Sequence, residues 1–190
     1  MAFLVLGLVL FFSVHSIKIA APRWRAGLVL GVGELPYKGL YAIVSAFGLG
    51  LIIWGFARAW ENPVFLYSPP NWGRHVAMTL MIVASILAIA AYLPALWIRR
   101  FVAHPLLAAT ILWGIAHVFA NGDLAGVVLF LAFVVWAAVD WLAQPSAATP
   151  ANSGITFGKW DIAAILAGIS LYVILIAGLH MWLFGVSPVV

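Results

Sequence analysis

Cysteine is absent from this chain, and charged side chains are scarce. None of its 190 residues is cysteine, only five are acidic, and 7% are charged in all. The missing thiols exclude disulfides, cysteine-ligated zinc and thiolate nucleophiles. With so few carboxylates, the chain is also a poor source of ligands for a carboxylate-bridged metal site. Five histidines remain as groups that ionise near neutral pH. Any chemistry is therefore expected to use imidazole.

The low charge content also excludes a water-soluble globule. A soluble domain averages about a quarter charged residues, whereas this chain is 66% hydrophobic. Its net charge of +4 comes from residues that stand singly or in pairs at the ends of apolar runs. Such charges are typical of topology signals and headgroup anchors. The predicted partner is the lipid bilayer, and no nucleic-acid partner is expected.

Long apolar runs predict an all-α, polytopic integral membrane bundle of about six transmembrane helices. The predicted spans are residues 1–19, 38–60, 73–98, 105–121, 124–142 and 159–184. Residues 1–142 are expected to form a core of five helices, with an interfacial connector at 22–37. A flexible linker is predicted at 143–158 and the sixth helix at 159–185. Because the first span lacks a basic leading region and a small-x-small cleavage site, it is expected to be a retained helix.

The placement of lysine and arginine predicts the orientation. Seven basic residues fall on one side of the predicted spans, namely Lys18, Arg23, Arg25, Lys38, Arg99, Arg100 and Lys159. Arg58 and Arg74 fall on the other side, where interfacial snorkelling is favoured over a role in holding haem propionates or lipid headgroups. The positive-inside rule then places both termini outside the cytoplasm.

Two local patterns predict details of the helix ends. In the turn Asn121-Gly122-Asp123, Gly122 is expected to adopt a left-handed C-cap conformation and Asp123 to cap the next helix. Glu34 and Lys38 are four residues apart and are expected to form an exposed ion pair that contributes little.

His117 is the strongest candidate for a functional side chain. It lies in the fourth predicted span, and Trp113 and Asn121 share its helix face at i−4 and i+4. An ionisable side chain inside a membrane helix is costly and is a functional-site hypothesis by default. The alternative is a buried histidine that bonds a neighbouring helix.

The other four histidines allow both ligand and structural interpretations. For His15, late in the first span, a role as a ligand and a role as an interfacial residue are equally supported. His104 precedes a proline, which favours a surface turn, and His75 and His180 lie near the outer ends of their spans, which favours interfacial roles. Depth alone pairs His15 with His104, and His117 with His75 or His180.

Haem is the cofactor that this supply of ligands suits best. Neutral imidazole is a common axial ligand of haem iron, and helix bundles bind haem between facing helices. The predicted haem site draws on His15, His117, His75 and His104, with Trp113 among the aromatic side chains able to cover a porphyrin.

An ordered set of motifs resembles one known family. The set comprises His15-Ser16, Gly33-Glu34, Tyr37-Lys38-Gly39-Leu40-Tyr41, Leu66-Tyr67-Ser68-Pro69-Pro70-Asn71-Trp72, Arg74-His75, His104-Pro105-Leu106, Leu112-Trp113-Gly114-Ile115-Ala116-His117 and Asn121-Gly122-Asp123. Together these motifs, over about residues 3–141, resemble the NnrU membrane-protein family, whose plant relatives are the 15-cis-ζ-carotene isomerases.

The resemblance implies a bacterial inner-membrane protein linked to denitrification and nitric-oxide metabolism. From the plant isomerases it implies one b-type haem, ligated by His15 and His117, that supports cis–trans isomerisation of an isoprenoid or polyene. Their cysteine one turn before the second ligand corresponds to Gly114 here. A cysteine–histidine ligand exchange is therefore impossible in this chain.

A non-catalytic role is the main alternative. The chain could be a membrane assembly or electron-transfer component with a membrane-protein partner. A transporter is less well supported, because no paired Gly/Pro interruptions mark related halves. A membrane methyltransferase is weaker still, since only His104-Pro105 is typical of that class.

Overall fold

The computed structural model describes residues 1–144 and 154–189, and helices dominate that part of the chain. The elements are α1 (Ala2–Ala20), α2 (Pro22–Val32), α3 (Glu34–Trp60), α4 (Gly73–Ala90), α5 (Leu96–Phe101), α6 (Pro105–Ala120), α7 (Leu124–Ala143), α8 (Lys159–Ile174) and α9 (His180–Phe184), with a kinked segment at Leu175–Leu179 joining the last two. The described residues contain no strand beyond one isolated β-bridge between Phe65 and Asp123. The all-α prediction is confirmed.

Within the described residues, five helical runs are long and apolar enough to cross a membrane. They are α1, α3, α4, α7 and the run Lys159–Phe184. Many large apolar side chains on these runs are exposed, including Ile43, Phe47 and Val135. Because such faces are stable in hydrocarbon rather than water, the chain is a helical membrane protein in contact with lipid. The fourth predicted span, α6, has 16 residues and is therefore only about 24 Å long.

Two predicted boundaries are wrong, and proline explains both. The third span ends at Ala90 rather than at residue 98, and α5 begins only at Leu96. Pro94 lies in the break, where it lacks an N–H donor and disfavours helical backbone in the residue before it. The second span begins at Glu34 rather than at residue 38. Pro36 is tolerated there because the first helical turn needs no backbone donor from it.

Arg99 stabilises the break between α4 and α5. Its guanidinium donates hydrogen bonds from Nε to the Ala90 carbonyl and from Nη2 to the Ala91 carbonyl. These carbonyls lie at the end of α4, where the helix itself offers no donors. Arg99 therefore caps a helix, in addition to any part it plays as a topology signal.

The chain divides into two compact units. The first comprises Met1–Tyr67 with Asp123–Ala132, and the second comprises Ser68–Gly122 with Phe133–Val190. Nine residues of the predicted linker, 145–153, lie outside the described residues.

The first unit is built on close packing of α1 against α3. A Cβ atom added at Gly7 would lie 2.6 Å from the Ile52 nitrogen, and one at Gly55 would overlap the Leu4 backbone. Small residues allow this approach between membrane helices, where packing rather than water exclusion drives association. The close contact between α1 and α3 therefore depends on glycine at positions 7 and 55.

The second unit has a core in which α4, α5, α6 and α8 contribute side chains. Its buried members are Leu87, Ala90, Ala95, Ile98, Ala108, Ala109 and Ala164. Here too glycine sets helix separation, because a Cβ atom on Gly168 of α8 would lie 2.5 Å from the Ile86 Cα atom of α4. Small side chains thus bring the helices of this unit close together.

Asp161 joins two helix starts within the second unit. Its Oδ2 accepts a hydrogen bond from the Gly158 N–H at 3.0 Å, which caps α8. Its Oδ1 accepts from the Ile98 N–H at 3.0 Å, in the first turn of α5. The N-cap residue of α5 is Ala95, whose side chain cannot cap, so Asp161 supplies the acceptor that this helix lacks. Only 3% of Asp161 is exposed.

In the turn between α6 and α7, the predicted cap at Asp123 is confirmed and the predicted conformation of Gly122 is wrong. Asp123 caps α7 as predicted, because its Oδ1 accepts from the Gly126 N–H at 2.7 Å. Gly122 does not adopt the predicted left-handed conformation. Instead the Asn121 side chain donates from Nδ2 to the His117 carbonyl at 2.8 Å. This bond satisfies a terminal carbonyl, so a left-handed glycine is not needed there.

We expect Asp123→Ala to lower the free energy of unfolding by about 1–2 kcal/mol, because the buried Gly126 N–H loses its acceptor. Asp123→Asn is the matched control, since asparagine caps nearly as well. Thermal unfolding of the purified protein in detergent measures both variants. Equal stability of the alanine variant and the parent would contradict the capping role.

Candidate functional site

His117 lies in the last turn of α6, with its ring orientation set by the helix itself. Its Nδ1 is 2.8 Å from the Trp113 carbonyl oxygen. A carbonyl can only accept, so Nδ1 carries the proton and the neutral ring has its lone pair on Nε2. Metal-binding histidines are commonly held in this way through their other nitrogen. The Trp113 ring packs 5.1 Å from the imidazole, centre to centre.

His15 repeats this arrangement in the first unit. Its Nδ1 donates to the Phe11 carbonyl at 2.7 Å, which again assigns the lone pair to Nε2. The Phe11 ring stacks on the imidazole at 4.1 Å, and Tyr41 of α3 lies 5.3 Å away. Two of the separated sequence motifs, His15-Ser16 and the Tyr37–Tyr41 segment, therefore meet in this unit.

His180 lies close to His117 in the second unit. Their ring centres are 6.4 Å apart and the ring planes are inclined by 22°. His180 also donates from Nδ1, here to the Val186 carbonyl at 2.7 Å, and the Phe184 ring lies 4.9 Å from it. The sequence favoured an interfacial or structural role for this residue.

The two remaining candidates lie elsewhere in the second unit. His75 is exposed at the start of α4. His104 is the N-cap residue of α6, and its ring packs edge-to-face on Trp141 at 5.9 Å. The structure thus brings Trp113, His117 and His180 together. It joins neither His75 nor His104 to them through any described contact between rings.

Both arginines near the predicted outer side are exposed. Arg58 forms an ion pair with Glu61 at 2.9 Å, and both side chains are more than half exposed. Arg74 is exposed at the start of α4. The predicted pair between Lys38 and Glu34 is confirmed at 2.7 Å, also on an exposed surface.

Residues 64–65, just before the Leu66–Trp72 motif, meet Asp123 and Leu124 through backbone contacts in the first unit. The Leu124 N–H donates to the Val64 carbonyl at 2.8 Å, beside the bridge between Phe65 and Asp123. Burial, followed by the nearby Asp123 carboxylate, raises the pKa of Tyr67. This phenol in the loop therefore stays neutral well above physiological pH.

Among residues 1–144 and 154–189, no three or more histidine, aspartate or glutamate side chains cluster in a way that could hold a metal ion. Sites built from three or four protein ligands are therefore not represented in the described residues. A cofactor that needs only one or two imidazoles is compatible with the geometry, because a porphyrin itself occupies the equatorial positions of its iron.

Sequence reasoning left His180 as one of two depth-matched partners of His117 and missed the double role of Asp161. The signal for His180 was its position between Gly178 and Gly185, near the end of a long apolar run. The signal for Asp161 was its spacing of three residues from Gly158, a weak form of the capping-box pattern. Neither pattern identifies the partner on another helix.

Comparison with known proteins agrees with the motif resemblance. The sequence model of a family described as "NnrU protein" matches residues 3–188, which includes the sixth helix. No curated protein and no solved structure matches the chain. Because the matched region covers nearly all of the sequence and contains every histidine discussed above, this helical membrane protein belongs to the NnrU family.

Proposed function

We propose that this protein binds one b-type haem in a bacterial inner membrane, with His117 as the essential axial ligand. The observation that carries the proposal is the Nδ1 hydrogen bond to the Trp113 carbonyl, which assigns the lone pair of a half-buried imidazole to Nε2. The chain has no thiol, so histidine is the strongest iron ligand that it offers.

The residues around His117 fit a porphyrin in chemical character. Trp113 packs on the imidazole, and Phe133 lies 5.5 Å from Trp113. Aromatic and aliphatic side chains of this kind cover an apolar macrocycle and exclude water from it. His117 would bind iron, and the Trp113 ring and backbone carbonyl would hold the imidazole in one orientation.

The proposed role is in nitrogen-oxide metabolism. When bound, ferrous haem would supply an iron to which a diatomic ligand such as nitric oxide, or a substrate double bond, coordinates in place of an exchangeable second ligand. The protein's own contribution is to orient one imidazole and to keep the surroundings apolar, which favours weakly polar ligands over water. Both termini are proposed to lie in the periplasm, following the distribution of lysine and arginine.

Haem-dependent isomerisation of an isoprenoid or polyene is a second possible role. The lipid-facing apolar surfaces would admit such a substrate from the bilayer. However, Gly114 lies one turn before His117 and is buried in α6, so redox-driven exchange between thiolate and imidazole cannot occur here. Any isomerase activity would have to use histidine ligands alone.

An absorption spectrum of the detergent-purified full chain tests the haem proposal. We expect a Soret band, b-type α and β bands on reduction with dithionite, and a pyridine haemochrome content of about one haem per chain. His117→Ala should lose at least nine-tenths of this haem, because it removes the ligand that the proposal requires.

His75→Ala is the matched control, since His75 is an exposed histidine of the same unit. It should retain the parental haem content. A featureless spectrum after expression with ample haem, or full retention of haem by His117→Ala, would overturn the proposal. A non-catalytic assembly or electron-transfer role, with a membrane-protein partner, would then be the leading alternative.

A further inference from the structure

The last membrane-spanning run is interrupted immediately before His180. Within Leu175–Leu179 the helix is kinked at Gly178, whose φ of 153° and ψ of −22° are not helical. Glycine adopts such a backbone conformation without the steric cost that a Cβ atom imposes. The kink reorients the five residues that follow, so His180 faces a different direction from the one a continuous helix would give it.

A second glycine completes the placement of His180. Gly185 ends α9 in the left-handed conformation, with φ of 71° and ψ of 8°. The chain turns back at this point, and the next carbonyl, that of Val186, accepts from His180 Nδ1 at 2.7 Å. Since this bond fixes the proton on Nδ1, the lone pair of the neutral ring lies on Nε2. The same assignment applies to His117.

The separation of the two imidazoles suits a shared metal ion. Their ring centres are 6.4 Å apart, with planes only 22° from parallel. A metal ion bonded at about 2 Å to one nitrogen of each ring holds the two ring centres about 6 Å apart when the rings lie on opposite sides of it. The distance therefore matches a pair of axial ligands.

We infer that His180 is the second axial ligand of the haem proposed above, and that His117 and His180 form the ligand pair. This inference rests on the proposed function and differs from the His15–His117 pair that the family resemblance implies. His180 belongs to the same compact unit as His117.

Methionine substitution gives a readout that a structural role would not produce. Methionine also ligates haem iron, and a His/Met pair has a higher reduction potential than a His/His pair. We therefore expect His180→Met, in the full chain loaded with haem, to retain the haem and to raise its midpoint potential. His15→Met is the matched control and should leave the potential at the parental value.

Alanine substitution with chemical rescue provides the second measurement. His180→Ala should convert the six-coordinate, low-spin ferric spectrum to a high-spin one, and added imidazole should restore the low-spin form. A change that reflects lost packing would not be reversed by imidazole. His15→Ala should remain low-spin throughout.

The outcomes separate this inference from the haem proposal. If the parental protein binds no haem, the proposed function fails. If it binds haem and His15→Met or His15→Ala changes the potential or spin state, the His117–His180 assignment is overturned while the haem proposal stands. If both His180 variants keep the parental potential and spin state, the His117–His180 assignment is also overturned.

Discussion

Replacing Gly55 by leucine is expected to separate α1 from α3 and to lower the free energy of unfolding by about 3 kcal/mol. Even a Cβ atom at this position would overlap the backbone of Leu4, and Phe3 backbone atoms lie almost as close. The overlap is with backbone rather than with the flexible end of a side chain, so neither helix can relax without moving as a whole. Equilibrium unfolding in mixed detergent micelles measures the effect.

The same helix offers a matched control for this substitution. Gly50 is exposed on α3, and an added Cβ atom there would meet nothing within 4 Å. Gly50→Leu should therefore leave stability unchanged or raise it slightly, because leucine is the better helix former. Gly48→Ala should be intermediate, since its Cβ atom would lie 3.0 Å from the Phe11 nitrogen. Equal stability of the Gly55 and Gly50 variants would show that close packing of α1 and α3 is not required.

Asp161→Ala should produce the second large effect, a loss of about 2–4 kcal/mol in the free energy of unfolding. The substitution leaves two backbone donors, the N–H groups of Gly158 and Ile98, without their carboxylate acceptor. An unsatisfied donor is costly where water is excluded, and here one of the two starts a different helix. Thermal unfolding in detergent measures the loss, and protease sensitivity near residues 91–101 reports the release of α5.

Two controls test whether the bridging role of Asp161 explains this effect. Asp161→Asn keeps one acceptor oxygen, so it should recover part of the lost stability. Glu34→Gln removes a carboxylate whose ion pair with Lys38 is exposed, and no measurable change is expected, since such pairs contribute little. If Asp161→Ala were no more destabilising than Glu34→Gln, the two hydrogen bonds would not be important for the fold.

The sequence by itself determined the class of this protein and most of its helices. Apolar runs of membrane-spanning length, with charges only at their ends, are sufficient to predict membrane helices, because hydrocarbon tolerates few other backbone structures. Local signals placed the start of α6 at Pro105 and the cap of α7 at Asp123. The ordered motifs also indicated the family. All of these inferences depend on interactions within a helix or between a helix and lipid.

Only the tertiary structure decided which residues meet. Periodicity does not reveal that Gly55 contacts Leu4, that Asp161 caps α5 as well as α8, or that the ring of His180 lies 6.4 Å from that of His117. Each contact joins residues more than 45 positions apart or depends on a break in helical geometry, as at Gly178. Helix pairing and rotation are set by packing between helices, which a one-dimensional apolar pattern does not encode.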